Sequence, residues 1–255
     1  MRHDARVIWA LQRRSLNEIL RVPGGAIPGV LAPAIFLIGL SGVFGQAAHL
    51  RGFPAGVDYK TFLVPLSLLQ GASFTGAATG VNLARDIEQG WFDRLLLAPV
   101  ARPVLLIGIV ASASFRVLLP ASFLLAVGFA LGVAWPGLVA LAIAILLVTG
   151  IAAVAACWGS IVALRFGTQQ AAPLMQIGGF IAILFTTAYA PQQLLTGWLA
   201  EVARLNPVTK ILEGVRQGFI GSATWGKTWP ALVALAGLAL FFGVLALRAM
   251  QRTGR

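Results

Sequence analysis

The apolar positions of this chain come in long runs, not in the short alternations of a soluble helix or strand. A helix needs about 20 consecutive apolar residues to cross the roughly 30 Å hydrocarbon layer of a bilayer. Six runs meet that need, over 27–48, 59–84, 104–133, 137–164, 171–189 and 229–250, and the stretch from Val117 to Leu164 carries no charge at all. The pattern predicts an all-α integral membrane protein, a single domain over 1–255 with six transmembrane helices. The second span is only weakly apolar and is rich in small residues: Gly71, Ala72, Ser73, Gly76, Ala77, Ala78 and Gly80. Small residues let helix backbones approach closely, so this reads first as a helix-packing face, and as a surface for association with a second copy.

Two segments are amphipathic instead. Over 1–22, Arg6, Arg13, Arg14, Asn17 and Arg21 share one side of a helical wheel, and Val7, Ile8, Trp9, Leu11, Leu16, Ile19 and Leu20 cover the rest. This predicts an N-terminal interfacial helix lying in the headgroup layer, the alternative being a solvated helix. The scattered arginines do not fit a cleavable signal peptide. Over 190–228, Asn206 and Pro207 mark a helix start. Val208, Ile211, Leu212, Val215 and Phe219 then recur at helical spacing with Lys210, Glu213 and Gln217 between them. Leu194, Leu195, Trp198, Leu199 and Val202 suggest a shorter helix before it. Two extracytoplasmic re-entrant helices in the outer leaflet fit this pattern, and so does a lid lying flat on the outer face.

Composition agrees with the membrane reading. The chain is 58% hydrophobic and 11% charged with a mean hydropathy of +0.87, against about 25% charged residues in soluble domains. A net charge of +11 would suit a nucleic-acid binder, but the arginines cluster beside spans, so the bilayer is the expected partner and nucleic acid is not. Arg2, Arg6, Arg13, Arg14, Arg21, Arg85, Arg94, Arg102, Arg165, Arg248, Arg252 and Arg255 fall on one face. Arg51, Lys60, Arg204, Lys210, Arg216 and Lys227 fall on the other. The positive-inside rule then puts both termini and the 85–103 segment in the cytoplasm.

That segment is the longest charged interruption of the chain. Gly90 allows a short helix followed by a tight turn. Ile87, Trp91, Phe92, Leu95 and Leu96 would then enter a groove on a soluble subunit, with Asp86, Glu88, Asp93 and Arg94 as rim charges. An interfacial helix with its aromatics in lipid is the alternative. Arg116 is the ionisable residue at depth, about 18 Å along span 3 if that helix starts at Val104. It is a contact for an anionic headgroup, a tie to a neighbouring helix, or an arginine snorkelling out of a helix that starts later.

Other chemistry is excluded. Gly221-Ser-Ala-Thr-Trp-Gly-Lys-Thr228 matches G-x-x-x-x-G-K-[ST] to the letter. A phosphate loop must leave a buried strand and open a soluble helix, however, and here a membrane span follows with Pro230 at its start. His3 and His49 lie far apart, with no zinc-ligand spacing, and there is no G-x-S-x-G elbow. No acid lies deep in a span to relay protons. The lone Cys157 lies in an apolar run and reads as a core residue.

The stretch Asp86-x-x-x-Gly90-x-x-Asp93-Arg94-x-x-x-x-Pro99-x-x-Arg102 resembles the segment after the second span of ABC-2-type transporter permeases, nearest to the membrane subunits of daunorubicin-resistance-type exporters. Asn206-Pro-Val-Thr209 followed by Glu213-Gly-Val-Arg216 is similar to a second hallmark of the same group. The resemblance covers essentially the whole chain. It implies a permease in the bacterial cytoplasmic membrane that pairs with a second permease copy and docks on two ATP-binding cassette subunits. ATP and Mg would be held by those subunits, with no cofactor on this chain. It also implies that 85–103 is the coupling segment, that the helices before the last span cap the exit, and that a drug-like or lipid-like amphipath is exported. A permease for a lipid-linked glycan shares these features, and a membrane assembly protein without transport is the reading of another class. Thr186-Thr-Ala-Tyr-Ala-Pro191 departs from the family in being more polar.

Overall fold

A computed structural model describes residues 12–13, 27–97 and 100–252. The predicted interfacial helix over 1–22 therefore lies almost wholly outside the described residues, as does Pro99. The described chain is helical: α1 (Ile27–Val43), α2 (Tyr59–Glu88), α3 (Trp91–Leu97), α4 (Arg102–Arg116), α5 (Leu118–Ala130), α6 (Leu138–Phe166), α7 (Ala172–Leu184), α8 (Trp198–Leu205), α9 (Pro207–Ile220) and α10 (Trp225–Arg252). No strand occurs among the described residues.

Three helical stretches are long and apolar enough to cross a membrane: Arg102–Ala130, Leu138–Phe166 and Trp225–Arg252. The other predicted spans differ from that simple form. α2 is long enough at 30 residues but too polar to qualify. α1 has 17 residues, and a 3-10 turn over Gly45–His49 continues its path.

α7 is a larger departure, with 13 residues where the hydropathy pattern extends to 189. The cause is local competition for one carbonyl. In a continuing helix the Thr186 amide would donate to Ala182. It donates to Ile183 instead at 3.2 Å, while the Asn206 side chain takes the Ala182 carbonyl at 2.8 Å. Span 3 also pauses, at Val117, because Pro120 has no N–H to give the Arg116 carbonyl.

α2 is the central element, with most of its residues buried. It packs most extensively on α6, and also on α1, α7, α5 and α9. Its small-residue face is consumed there. A Cβ at Gly80 would lie 2.5 Å from the Cα and carbonyl carbon of Gly159, and one at Gly76 would lie 2.5 Å from the Ala152 carbonyl oxygen. The expectation that this face serves a second copy is thereby corrected, because the close approach occurs within one chain.

Cross-links mark two ends of the bundle. At one, α2 meets the α6–α7 connection and α4 meets the end of α10. At the other, Tyr59, Tyr189, Arg216 and the α5–α6 turn come together. That second end carries four exposed tryptophans, Trp135, Trp198, Trp225 and Trp229, where an aromatic belt would sit at a membrane face. The outward sides of α4, α5 and α10 expose Ile107, Phe115, Phe123, Val233, Leu240 and Phe241. That much bare apolar surface suits lipid.

Candidate functional site: a hook at one end and a broken helix at the other

The 85–103 segment is not one unit. Its first residues, Asp86, Ile87 and Glu88, are the last turn of α2, so the helix runs past the predicted span end at 84. Gln89 and Gly90 then reverse the chain, Gly90 at φ +68° in the region open to glycine. α3 follows as a seven-residue hook.

Adjacent aromatics on the hook part company. Phe92 is 1% exposed and packs in a core cluster with Leu83, Leu105, Val162 and Met250, whereas Trp91 is 47% exposed. Phe92 thus anchors the hook to its own chain, a correction to the expectation that it enters a groove on a soluble subunit. Ile87 and Leu96 lean on the same cluster, and Leu95 is half-buried. Trp91, Asp93, Arg94 and Leu97 face outward.

One predicted rim charge, Glu88, is also tied to its own chain. Glu88 accepts from the Thr168 hydroxyl at 2.6 Å, from the Gln169 amide at 2.9 Å and from the Gln169 side chain, while Arg85 donates to Gln169 at 3.1 Å. Donation by the Gln169 side chain, then by Thr168 and the Gln169 backbone, holds the Glu88 carboxyl below its usual range. Arg102 donates to the Gln251 carbonyl at 2.6 Å and to Met250 at 3.2 Å, binding the last orphan carbonyls of α10. The hook is thus fixed to three parts of the bundle.

At the far end, the second motif has a chemistry the sequence does not announce. Asn206 caps α9, accepting from the Val208 amide at 2.9 Å, and its amide group donates to both Ala182 and Phe185 carbonyls. Arg216, 4% exposed, donates to Thr187 at 2.9 Å and Ala188 at 3.2 Å, with its guanidinium 3.7 Å from the centre of the Phe62 ring. Tyr59 donates to Tyr189 at 2.9 Å. Glu213 instead lies outward, 3.5 Å from Lys210.

Sequence reasoning gave depth to Arg116 alone; Arg216 counted among the outer charges and in the second motif, with no buried role. One signal was present: Arg216 falls four residues after Leu212, on the apolar face of α9. Arg116 is itself buried and partnered, about 21 Å along α4 from Arg102. Its helix starts earlier than Val104, against the snorkelling alternative.

α9 is built into the bundle: its Ile211, Leu212 and Val215 are fully buried against α6, α10 and α2. α8 instead leaves Trp198, Val202 and Leu205 exposed on one face. The phosphate-loop letters form an irregular turn over 221–224 and the first turn of α10. The Thr224 amide donates to Gln217, the Gln217 side chain donates to Thr228, and Lys227 is exposed. Cys157 is buried, as expected of a core residue.

The profile of the ABC-2 type transporter family matches residues 6–220. The chain belongs to that family. Among its relatives, the probable multidrug ABC transporter permease YbhR of Escherichia coli is 29% identical over 71% of this chain and 50% of its own length. The probable doxorubicin resistance ABC transporter permease protein DrrC of Mycobacterium tuberculosis is 26% identical over 86% of this chain and 78% of its own. A putative transport permease, ycf38 of Porphyra purpurea, is 28% identical over 82% and 72%. This ABC-2 chain spans half the length of the Escherichia coli permease it matches.

Proposed function

We propose that this chain is the membrane permease of an ATP-driven exporter that moves an amphipathic, drug-like or lipid-like substrate out across the cytoplasmic membrane. Energy comes from separate ATP-binding subunits that carry ATP and Mg, and a second permease copy completes the passage. The printed names of the relatives, multidrug and doxorubicin resistance permeases, support the substrate class. Six crossings with both termini inside are consistent with the arginine distribution. In this reading α1 and α7 are the short crossings, and α7, about 20 Å long, falls short of the bilayer thickness. α9 fills the remaining depth as the re-entrant helix.

The observation that carries the proposal is the hook. A short helix projecting from a membrane bundle, anchored by Phe92 and presenting Trp91, Asp93, Arg94 and Leu97, is a rigid handle for a soluble partner. Exposed tryptophan flanked by charge is what a docking hot spot offers. Replacing Trp91 with Ala, or Asp93 and Arg94 together with Ala, leaves folding intact and abolishes co-purification with the ATP-binding subunit or substrate-stimulated ATPase in lipid vesicles. Undiminished transport by both variants refutes the assignment.

A further inference from the structure

α4 and α10 each pack more extensively on α6 than on each other. A groove of about 400 Å³ is left between them, within the range of ligand pockets. One wall is α4 from Pro103 to Ala111, the other is Ala239, Gly243 and Leu247 of α10, and the floor on α6 includes Cys157. Ala239, Gly243 and Leu247 recur every four residues and so share one stripe of α10. The first two are too small to close the gap, and a Cβ at Gly243 would meet nothing within 4 Å. Apart from the Cys157 thiol, the lining side chains are apolar.

The length of the groove suits one leaflet. From Pro103 to Ala111 a helix rises about 12 Å, less than half of the roughly 30 Å hydrocarbon layer. Ile107 and Ala239 are exposed along it, so an occupant enters from the lipid side. The groove lies toward the end of the bundle where α4 begins and α10 ends, the end that carries the hook.

That end is basic. Arg102, half-buried, stands one residue before the groove wall begins. Its bonds to the Met250 and Gln251 carbonyls both use one Nη, and its Nε and second Nη have no partner among the described residues. Arg248 and Arg252 are exposed on the last two turns of α10. α4, α6 and α10 contain no Asp or Glu; the acids at this end, Asp86, Glu88 and Asp93, belong to α2 and the hook. An apolar slot one leaflet deep, ending at arginines, matches a lipid with a negative headgroup.

We propose that the α4–α10 groove binds an anionic phospholipid, with one acyl chain in the slot and the headgroup phosphate at Arg102, while Arg248 and Arg252 favour its negative charge. A zwitterionic lipid fills the same slot but gains less from the arginines. The site is independent of the export reading, since it needs neither ATP nor a transported substrate.

The test places the full-length protein in phosphatidylcholine nanodiscs with a trace of a photoreactive lipid. The same diazirine-bearing acyl chain is carried on phosphatidylglycerol in one sample and on phosphatidylcholine in the other. After irradiation, mass spectrometry maps the label to 103–111 and 239–247. Phosphatidylglycerol labels these residues at least about fivefold more than phosphatidylcholine at equal mole fraction, the factor expected of one arginine beside an anionic lipid. Arg102→Gln lowers that ratio by about fivefold, and Arg102→Lys keeps most of it. Gly243→Phe fills the slot and removes the groove label, whereas Gly237→Phe, at an exposed α10 position outside the groove, leaves it.

If Arg102→Gln fails to accumulate, Arg248→Gln combined with Arg252→Gln lowers the ratio in its place. Equal labelling by the two probes overturns the proposal, because the groove is then apolar surface wetted by any lipid. Groove label that survives Gly243→Phe overturns it, and so does a groove that neither probe labels, the result of a second copy covering it.

Discussion

Gly80→Ala tests the α2–α6 crossing, the contact through which the hook and the outer bend are joined to one scaffold. The new methyl carbon would lie 2.5 Å from backbone atoms of Gly159, where carbon atoms rest at about 3.5–4.0 Å. No rotamer relieves it, because both sides are backbone. The helices must separate by about 1 Å, and the contact one turn away at Gly76, 2.5 Å from Ala152 and Ala155 for any added Cβ, opens with them. Overpacking of this kind costs about 1–3 kcal/mol, and the gain in helix propensity returns about 1 kcal/mol. A net loss of up to about 2 kcal/mol lowers the melting midpoint of a chain this size by up to about 8 °C, and puts it about 2–12 °C below that of an alanine substitution with the propensity gain alone.

The control is Gly237→Ala in α10, where an added Cβ meets nothing within 4 Å. It keeps only the propensity gain and melts at or above the parent. Thermal midpoints of the detergent-solubilised protein, read by fluorescence-detected size exclusion, make the comparison. A Gly80→Ala midpoint as high as that of Gly237→Ala refutes backbone contact at this crossing.

Other expectations follow from the cytoplasmic ties and the discarded motif. Because the Glu88 carboxyl is held below its usual value of 4.5, its contribution is full above that value and fades as pH falls through the lowered one. The midpoint gap between the parent and Glu88→Gln is therefore widest near neutral pH and closes on acidification; a gap that widens in acid contradicts the bonding to Thr168 and Gln169. Arg102→Ala frees the Met250 and Gln251 carbonyls at a cost of about 1 kcal/mol, and limited trypsin digestion at Arg248 and Arg252 accelerates. Lys227→Ala leaves nucleotide cross-linking to this chain at background, since Lys227 is an exposed residue in the first turn of α10; any loss of labelling would revive the phosphate loop.

What the sequence determined by itself is the set of helices whose hydrogen bonds close locally. A long apolar run has no other way to satisfy its backbone in lipid, so α4–α5, α6 and α10 are legible from hydropathy. The cap at Asn206 and the reversal at Gly90 are equally local. The tertiary structure alone decided which of two neighbouring aromatics is the anchor, because Trp91 and Phe92 differ only in which way the hook lies on Leu83 and Met250. It decided that the small residues of α2 face Gly159 within the same chain, since a small-residue stripe does not say which helix fills it. It also decided the end of α7. A helix stops where a better-placed donor takes its next carbonyl, and here the donors, Asn206 and Arg216, arrive from residues more than twenty positions away along the chain.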